Sequence, residues 1–308
     1  VTGRPPVTAD VDLALERLRA GGLVVIPTET VYGLAADIDR PDAVERVYAV
    51  KGRPVGHPLI CHVADAATAD AYGDMSVEHA ATLAAACWPG PLTLLVPRRP
   101  TVPDIVTGGR PTVGVRVPAH PLTSELLARH GGALAAPSAN RFGRVSPTTV
   151  SHVLDDIGGL LDAERDIILD GGPCPVGVES TIVDLTVSPP QVLRHGGITP
   201  EEIARLLHVD LAAAAGESRT SGMLASHYAP ATEVRLVEDP RAGRELLERI
   251  PGAVLIDRTE DLVEAARSLY ADLRDADRDS TTLIIAVLPP ARGLGHALRD
   301  RLGKAAAR

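Results

Sequence analysis

Glu233-Val234-Arg235-Leu236-Val237, Ala253-Val254-Leu255-Ile256 and Thr282-Leu283-Ile284-Ile285-Ala286-Val287-Leu288 are three short apolar runs of the chain. Between and after them stand stretches with helical spacing: Arg241 to Arg249, Leu262 to Leu273 and Leu294 to Leu302. Strand, helix, strand, helix, strand, helix at this rhythm predicts a small parallel sheet in a three-layer α/β unit. Upstream, Leu211 to Ser226 is mostly Ala, Gly, Ser and Thr without periodicity, and reads as a linker. The expected division is a domain over 1–208, a linker over 209–232 and a domain over 233–308.

The first 208 residues mix strands and helices in no simple alternation. Apolar runs at Leu23–Ile26, Leu59–Val63, Leu92–Val96, Val113–Val117, Ala133–Ala136, Ile167–Asp170, Ser180–Asp184 and Val192–Arg194 predict strands. Helices are expected at Val11–Ala20, Ala43–Val50, Glu78–Cys87, Ser124–Arg129, Thr148–Leu154 and Pro200–Leu207, the last opened by Thr199 and Pro200. This irregular order suits a twisted mixed sheet around a concave site better than a doubly wound sheet.

At 308 residues and 45% apolar content the chain can build about two cores. Aromatics are only 2%, so Val, Leu, Ile and Ala must fill them. A net charge of -9 is a poor match for phosphate-driven nucleic-acid binding, and stable tRNA binding is not expected. The three cysteines, Cys61, Cys87 and Cys174, make neither a disulfide framework nor a zinc spacing, and no protein metal site is expected. Val1 to Pro6 lacks the layout of a signal peptide, and no apolar run is long enough to span a bilayer, so a cytoplasmic protein is expected.

Walker A, Gly-x-Gly-x-x-Gly and His-Glu-x-x-His signatures are absent. Five other constellations carry possible chemistry. Pro27-Thr28-Glu29-Thr30-Val31-Tyr32-Gly33-Leu34 is either the rim of a pocket or an ordinary turn with a capping threonine. Lys51-Gly52-Arg53-Pro54 sets a point charge and a planar fork about a glycine, as phosphate oxygens require, or offsets a helix dipole. Lys51 is one of two lysines and Asn140 is the only asparagine, in a chain that otherwise prefers Arg. Ala136-Pro137-Ser138-Ala139-Asn140, continuing to Ser146-Pro147-Thr148, offers hydroxyls and an amide, or a polar loop with a helix cap. Gly177-Val178-Glu179-Ser180-Thr181, with Arg194 nearby, and His227-Tyr228-Ala229-Pro230 at the end of the linker complete the set. No Ser-His-Asp, Cys-His or paired-carboxylate arrangement is legible, which favours catalysis by positioning and electrostatics.

Taken together and in this order, the motifs resemble the YrdC-like family, in the longer two-domain form of the L-threonylcarbamoyladenylate synthases. The resemblance runs from about residue 10 to the C-terminus and includes Gly293-Leu294-Gly295 ahead of Asp300-Arg301-Leu302. It implies an α/β chain: a twisted mixed-sheet YrdC-like domain with a concave site, then a small parallel three-layer Rossmann-like domain. It implies a nucleotidyltransferase that makes L-threonylcarbamoyl-AMP and pyrophosphate from L-threonine, bicarbonate and ATP, with Mg2+ accompanying the nucleotide. A downstream tRNA-modifying complex would pass the group to the adenosine beside the anticodon. By carry-over, Lys51 and Arg53 are the catalytic candidates. Lys51, Arg53, His57, Thr112, Ser138, Asn140, Ser146, Arg194 and Tyr228 are expected at the nucleotide. Thr30, His62, Arg116 and Ser180 are expected at threonine.

Three positions depart from the family pattern: His57 for a usual Asn, His195 for a usual Pro, and Ser221 for a usual Pro. The rival readings are a carbamoyl transferase with another acceptor on the same scaffold, and a noncatalytic RNA-binding module. Acidity and aromatic poverty count against the second.

Overall fold

The computed structural model describes residues 3–212 and 228–307. The larger sheet is built from β1 (Val7–Thr8), β2 (Val24–Ile26), β3 (Gly33–Asp37), β4 (Ile60–His62), β5 (Leu92–Pro97), β6 (Thr112–Arg116), β7 (Leu134–Ala135), β8 (Ile167–Leu169), β9 (Thr181–Asp184) and β10 (Gln191–Arg194). Its spatial order is β1-β8-β2-β3-β7-β4-β6-β5-β9-β10, with parallel and antiparallel neighbours mixed. The helices of this part are α1 (Val11–Arg19), α2 (Pro41–Lys51), α3 (Ala66–Ala69), α4 (Ala80–Cys87), α5 (Asp104–Thr107), α6 (Pro121–His130), α7 (Val150–Asp156) and α8 (Pro200–Leu207).

The strand register explains where a site can form. Side chains alternate between the two faces of a sheet. Helices α1 and α6 lay Leu18, Leu126 and Leu127 against Val24, Ile26, Leu134 and Ile167 on one face. His62 pairs with Leu134 and Arg116 pairs with His62, so these polar residues continue that same face beyond β7. There the cover of α1 and α6 stops, and Ile60, Leu95, Ile182 and Leu193 form a small apolar floor. The opposite face is packed by Val44, Val47, Leu83, Val153 and Ile203 against Val25, Leu34, Val96 and Val115.

The second sheet holds β11 (Val234–Val237), β12 (Ala253–Ile256) and β13 (Leu283–Val287), all parallel, in the order β11-β13-β12. Its helices are α9 (Pro240–Arg249), α10 (Leu262–Ala276) and α11 (Gly295–Ala306). Asp239 and Asp261 cap α9 and α10 through their side chains. The core between this sheet and α10 and α11 also takes in Val31, Val145 and Val178 of the larger domain. Gly177 makes that contact possible. It sits at φ +80, and a Cβ there would lie 2.3 Å from the Ala266 carbonyl oxygen. The backbone of α10 therefore rests directly on the larger domain.

The expected twisted mixed sheet and small parallel sheet are both present. The strand β3 is an addition to the sequence reading, which took Gly33-Leu34 as the end of a turn. Its Gly-Leu-Ala-Ala-Asp composition has low strand propensity, and pairing with β2 and β7 makes it a strand. At the start of α8, Thr199 and Glu202 form a reciprocal capping box, with Pro200 in the first turn.

Candidate active site

Beyond β7, the uncovered face becomes a partly open, closely lined cavity of about 50 Å³. Its walls include Thr30, Arg53, His62, Arg116, Ser138, Ser180, Arg194 and Tyr228, drawn from separate strands and loops along the chain. A wider cleft of about 640 Å³ runs along β12, but it is an open groove whose Arg258 already pairs with Asp272.

Three guanidinium groups converge on the cavity. Arg116 ends β6, is 4% exposed, and donates from Nη2 to Glu29 Oε1 at 2.5 Å and to Thr30 Oγ1 at 2.9 Å. Glu29 is held on its other oxygen by the Ala119 N–H at 3.0 Å. Arg194 ends β10 and donates to the Ser180 carbonyl at 3.0 Å and its hydroxyl at 2.9 Å. The same hydroxyl lies 2.8 Å from Thr93 Oγ1, a fully buried residue that the sequence reading did not single out. His62 is the neutral member of this group. Burial, and then the Arg116 charge, push its pKa down to about 3, against its hydrogen bonds to backbone carbonyls.

Arg53 follows Gly52, whose left-handed conformation ends α2. Its guanidinium lies 5.5 Å from the centre of the Phe142 ring, and His57 meets the same ring edge-on at 5.5 Å. The chain's only phenylalanine thus braces an arginine of the cavity. Lys51 behaves differently. It is buried, and Nζ donates to the carbonyl oxygens of Ser138 and Asn140, both at 2.6 Å. Burial, aided by Arg53, lowers its pKa well below the ordinary lysine value. Asn140 donates its amide to the carbonyls of Arg141 and Arg144, each at 2.8 Å. Lys51, Asn140, His57, Ser146 and Thr112 do not line the cavity. The first two sit behind the Ser138 loop; His57 accepts a hydrogen bond from Arg53 Nε on its backbone carbonyl at 3.3 Å and shares the Phe142 ring with it. Ser146 stands behind Glu179, and Thr112 lies four residues along β6 from Arg116, on the same face.

The remaining wall comes from the chain beyond residue 227. Tyr228 is 1% exposed, has φ +62, and stacks on Tyr270 at 5.7 Å between ring centres. Burial raises its pKa to about 12, so the phenol keeps its proton. Glu179 completes this side. Ser146 Oγ donates to its Oε1 at 2.6 Å, and Tyr270 and Arg301 each donate to its Oε2 at 2.7 Å. His195 stacks on His296 of α11 at 5.4 Å, while His227 and Ser221 lie outside the described residues.

A family model named for Sua5, YciO and YrdC, described as telomere recombination, matches residues 16–196. A second, described as the C-terminal domain of threonylcarbamoyl-AMP synthase, matches residues 198–307. The chain belongs to the threonylcarbamoyl-AMP synthase family, in its two-domain form. A threonylcarbamoyl-AMP synthase of Pyrococcus abyssi is 40% identical over 94% of this chain and 91% of its own length. One of Bacillus subtilis is 37% identical over 94% and 90%. The crystal structure of P. abyssi Sua5 complexed with L-threonine superposes with a TM-score of 0.89 at 37% identity, over 98% of this chain and 97% of that one. The family resemblance carried by the sequence motifs therefore holds, as does the fold it implied, and the chain is an enzyme of nucleotidyltransferase type.

Proposed function

We propose that the chain makes L-threonylcarbamoyl-AMP and pyrophosphate from L-threonine, bicarbonate and ATP. The observation that carries this reading is the convergence of Arg53, Arg116 and Arg194 with Thr30, His62, Ser138 and Ser180 in one cavity. A cavity so cationic suits a ligand pair carrying a triphosphate and a carboxylate.

Threonine is assigned to Thr30, His62, Arg116 and Ser180. Arg116 spends Nη2 on Glu29 and Thr30 and Nε on the Gly90 carbonyl, while Nη1 has no partner among the described residues. That nitrogen is the one a substrate carboxylate can take. Neutral His62 and Thr30 can read the threonine hydroxyl and leave the substrate amine free to react.

The amine adds to bicarbonate, giving a carbamate and water. A carbamate oxygen then attacks the α-phosphorus of ATP; the new O–P bond forms as the bond to the β-phosphate bridging oxygen breaks, and pyrophosphate leaves. Arg53 and Arg194 face the developing charge directly. Lys51 acts by holding the Ser138 loop in place, with Asn140 and His57 supporting the same region. Ser138, Ser146, Thr112 and Tyr228 complete the nucleotide contacts in this reading.

Mg2+ enters with the nucleotide phosphates. Glu179, in the cavity wall, and Glu29, beside Arg116, are both engaged by arginine, and no group of three metal-ligating side chains occurs among the described residues. The described residues offer the ion no cage of their own. The product passes to a tRNA-modifying complex that transfers the threonylcarbamoyl group to the adenosine beside the anticodon. The cytoplasm is the compartment this reading assigns; no helix among the described residues is long and apolar enough to cross a membrane.

Incubation with ATP, bicarbonate and labelled threonine tests the proposal. Pyrophosphate and a labelled adenylate should appear together, and both should need bicarbonate. Pyrophosphate release that ignores threonine would remove the reading.

A further inference from the structure

Glu179 belongs to the larger domain, yet its strongest partner comes from the smaller one. Arg301, on α11, is fully buried and reaches across the boundary. Its Nε donates to Glu179 Oε2, its Nη2 to the His195 carbonyl at 2.9 Å, and its Nη1 to Asp300. The guanidinium lies 5.0 Å from the centre of the Tyr228 ring. One side chain thus ties together a cavity carboxylate, the residue after Arg194, and the aromatic that closes the cavity.

We propose that Arg301 is a positioning residue of the nucleotide subsite: it holds the Glu179 carboxylate within the domain boundary, and so fixes Ser146 and Arg194 for the nucleotide. The proposal rests on the ATP-dependent reading above. Two physical consequences support it. First, a carboxylate can only accept, so Ser146 must give its proton to Glu179 and offers a ligand its lone pairs. Second, an unpinned Glu179 would place a buried negative charge in the wall of a cavity meant for phosphates. It would also draw on Arg194, the other cation facing it. Removing one partner of a buried ion pair leaves the other charge uncompensated.

The groups facing Glu179 are Arg301 and Asp300 of α11, Arg194 of β10, Tyr270 of α10, Ser146, and Tyr228. Burial disfavours the Glu179 charge. Arg301 above all, then Arg194, Ser146 and Tyr270, reverse this and hold its pKa at about 2. Without Arg301 that pKa rises, and the carboxylate becomes able to titrate in a range where wild type does not.

Calorimetry of ATP and of threonine, each alone, from pH 5.5 to 8.5, reads the effect on wild type, Arg301→Met, Arg301→Met/Glu179→Gln and Tyr270→Phe. Arg301→Met should weaken ATP by roughly tenfold or more at pH 8, and the loss should shrink as pH falls and Glu179 gains a proton. Threonine binding should fall several-fold less than ATP binding, because Thr30 and Arg116 keep their own contacts. Adding Glu179→Gln should recover much of the ATP loss and abolish its pH dependence. Tyr270→Phe keeps the ring packing and removes one donor, so it serves if Arg301→Met fails to fold; it should weaken ATP about threefold and leave threonine unchanged. Equal losses for ATP and threonine, flat with pH and unrelieved by Glu179→Gln, would make Arg301 a plain buttress and overturn the proposal, as would unaltered ATP binding in Tyr270→Phe. Binding is read apart from turnover, so a wild type that binds ATP but releases no threonine-dependent pyrophosphate sinks the reaction and not the role of Arg301.

Discussion

Lys51 and Asn140 meet: the Lys51 ammonium donates to the Asn140 backbone carbonyl at 2.6 Å, and to that of Ser138 at the same distance. One of the chain's two lysines therefore holds the loop that carries its only asparagine. The contact also ties the end of α2 to the end of β7, and Phe142 N–H returns a hydrogen bond to the Lys51 carbonyl at 2.7 Å.

Lys51→Arg should fail although it keeps the charge. A guanidinium is broad and planar, and the space between two carbonyls fits a compact ammonium. Overpacking of this kind costs about 1–3 kcal/mol, so the urea midpoint should drop and most of the pyrophosphate release should be lost. An unchanged midpoint with full activity would show that the loop does not depend on the shape of the cation.

Threonine and ATP should protect together more than the sum of each alone, because both are assigned to one cavity. Serine lacks the methyl group and should bind less tightly by about 1 kcal/mol, or roughly fivefold. Thermal shifts with each ligand and with both measure this. Identical protection by serine and threonine would remove Thr30, His62, Arg116 and Ser180 as a threonine subsite.

Acid should destabilise the protein in two windows. His62 is neutral when folded, with a pKa near 3 against the ordinary 6.5. Below pH 6.5 the unfolded chain takes up a proton that the folded site refuses. Stability therefore falls with decreasing pH, by about 1.4 kcal/mol per unit for this one group, until the folded pKa is reached. Glu179 adds a second loss below its ordinary 4.5, because its folded pKa is held near 2. Denaturation of His62→Gln at pH 5 and pH 7.5 isolates the first window; its midpoint should vary less with pH than that of wild type. Parallel acid sensitivity in the two proteins would exclude His62 as the source.

Ending the chain near residue 210 should do more than remove a cover. It uncovers Val31, Val145 and Val178, which share a core with α10 and α11, and it strips Glu179 of Tyr270 and Arg301. Each buried apolar side chain contributes about 1.5–3 kcal/mol, so the truncated protein should unfold at clearly lower denaturant and bind ATP poorly. A truncated protein as stable as the full chain would show that the shared core contributes little.

Much of this architecture could be read in the residues, because the signals are local. The three parallel strands β11 to β13 stand as apolar runs between helical stretches, and Thr199-Pro200 announces α8. The strand β3 could not be read, since Gly33, Ala35 and Ala36 become a strand only between their neighbours. The same division holds at the site. Lys51, Arg53 and Ser138 lie in short motifs. The pairs that organise the cavity have no local signature: Glu29 and Arg116 are 87 residues apart, Thr93 and Ser180 also 87, and Glu179 and Arg301 122. Motif reading finds which residues matter and misses which of them neutralise one another.

The distance from Glu179 to Arg301 also sets an order in time. A ribosome adding about 5–20 residues per second needs roughly 6–24 s to travel those 122 residues. Until then the nascent larger domain can answer its carboxylate only with its own Arg194 and Ser146. Arg301 is made after the whole of the larger domain, so a polypeptide that stops short of α11 should not compete with finished molecules for nucleotide.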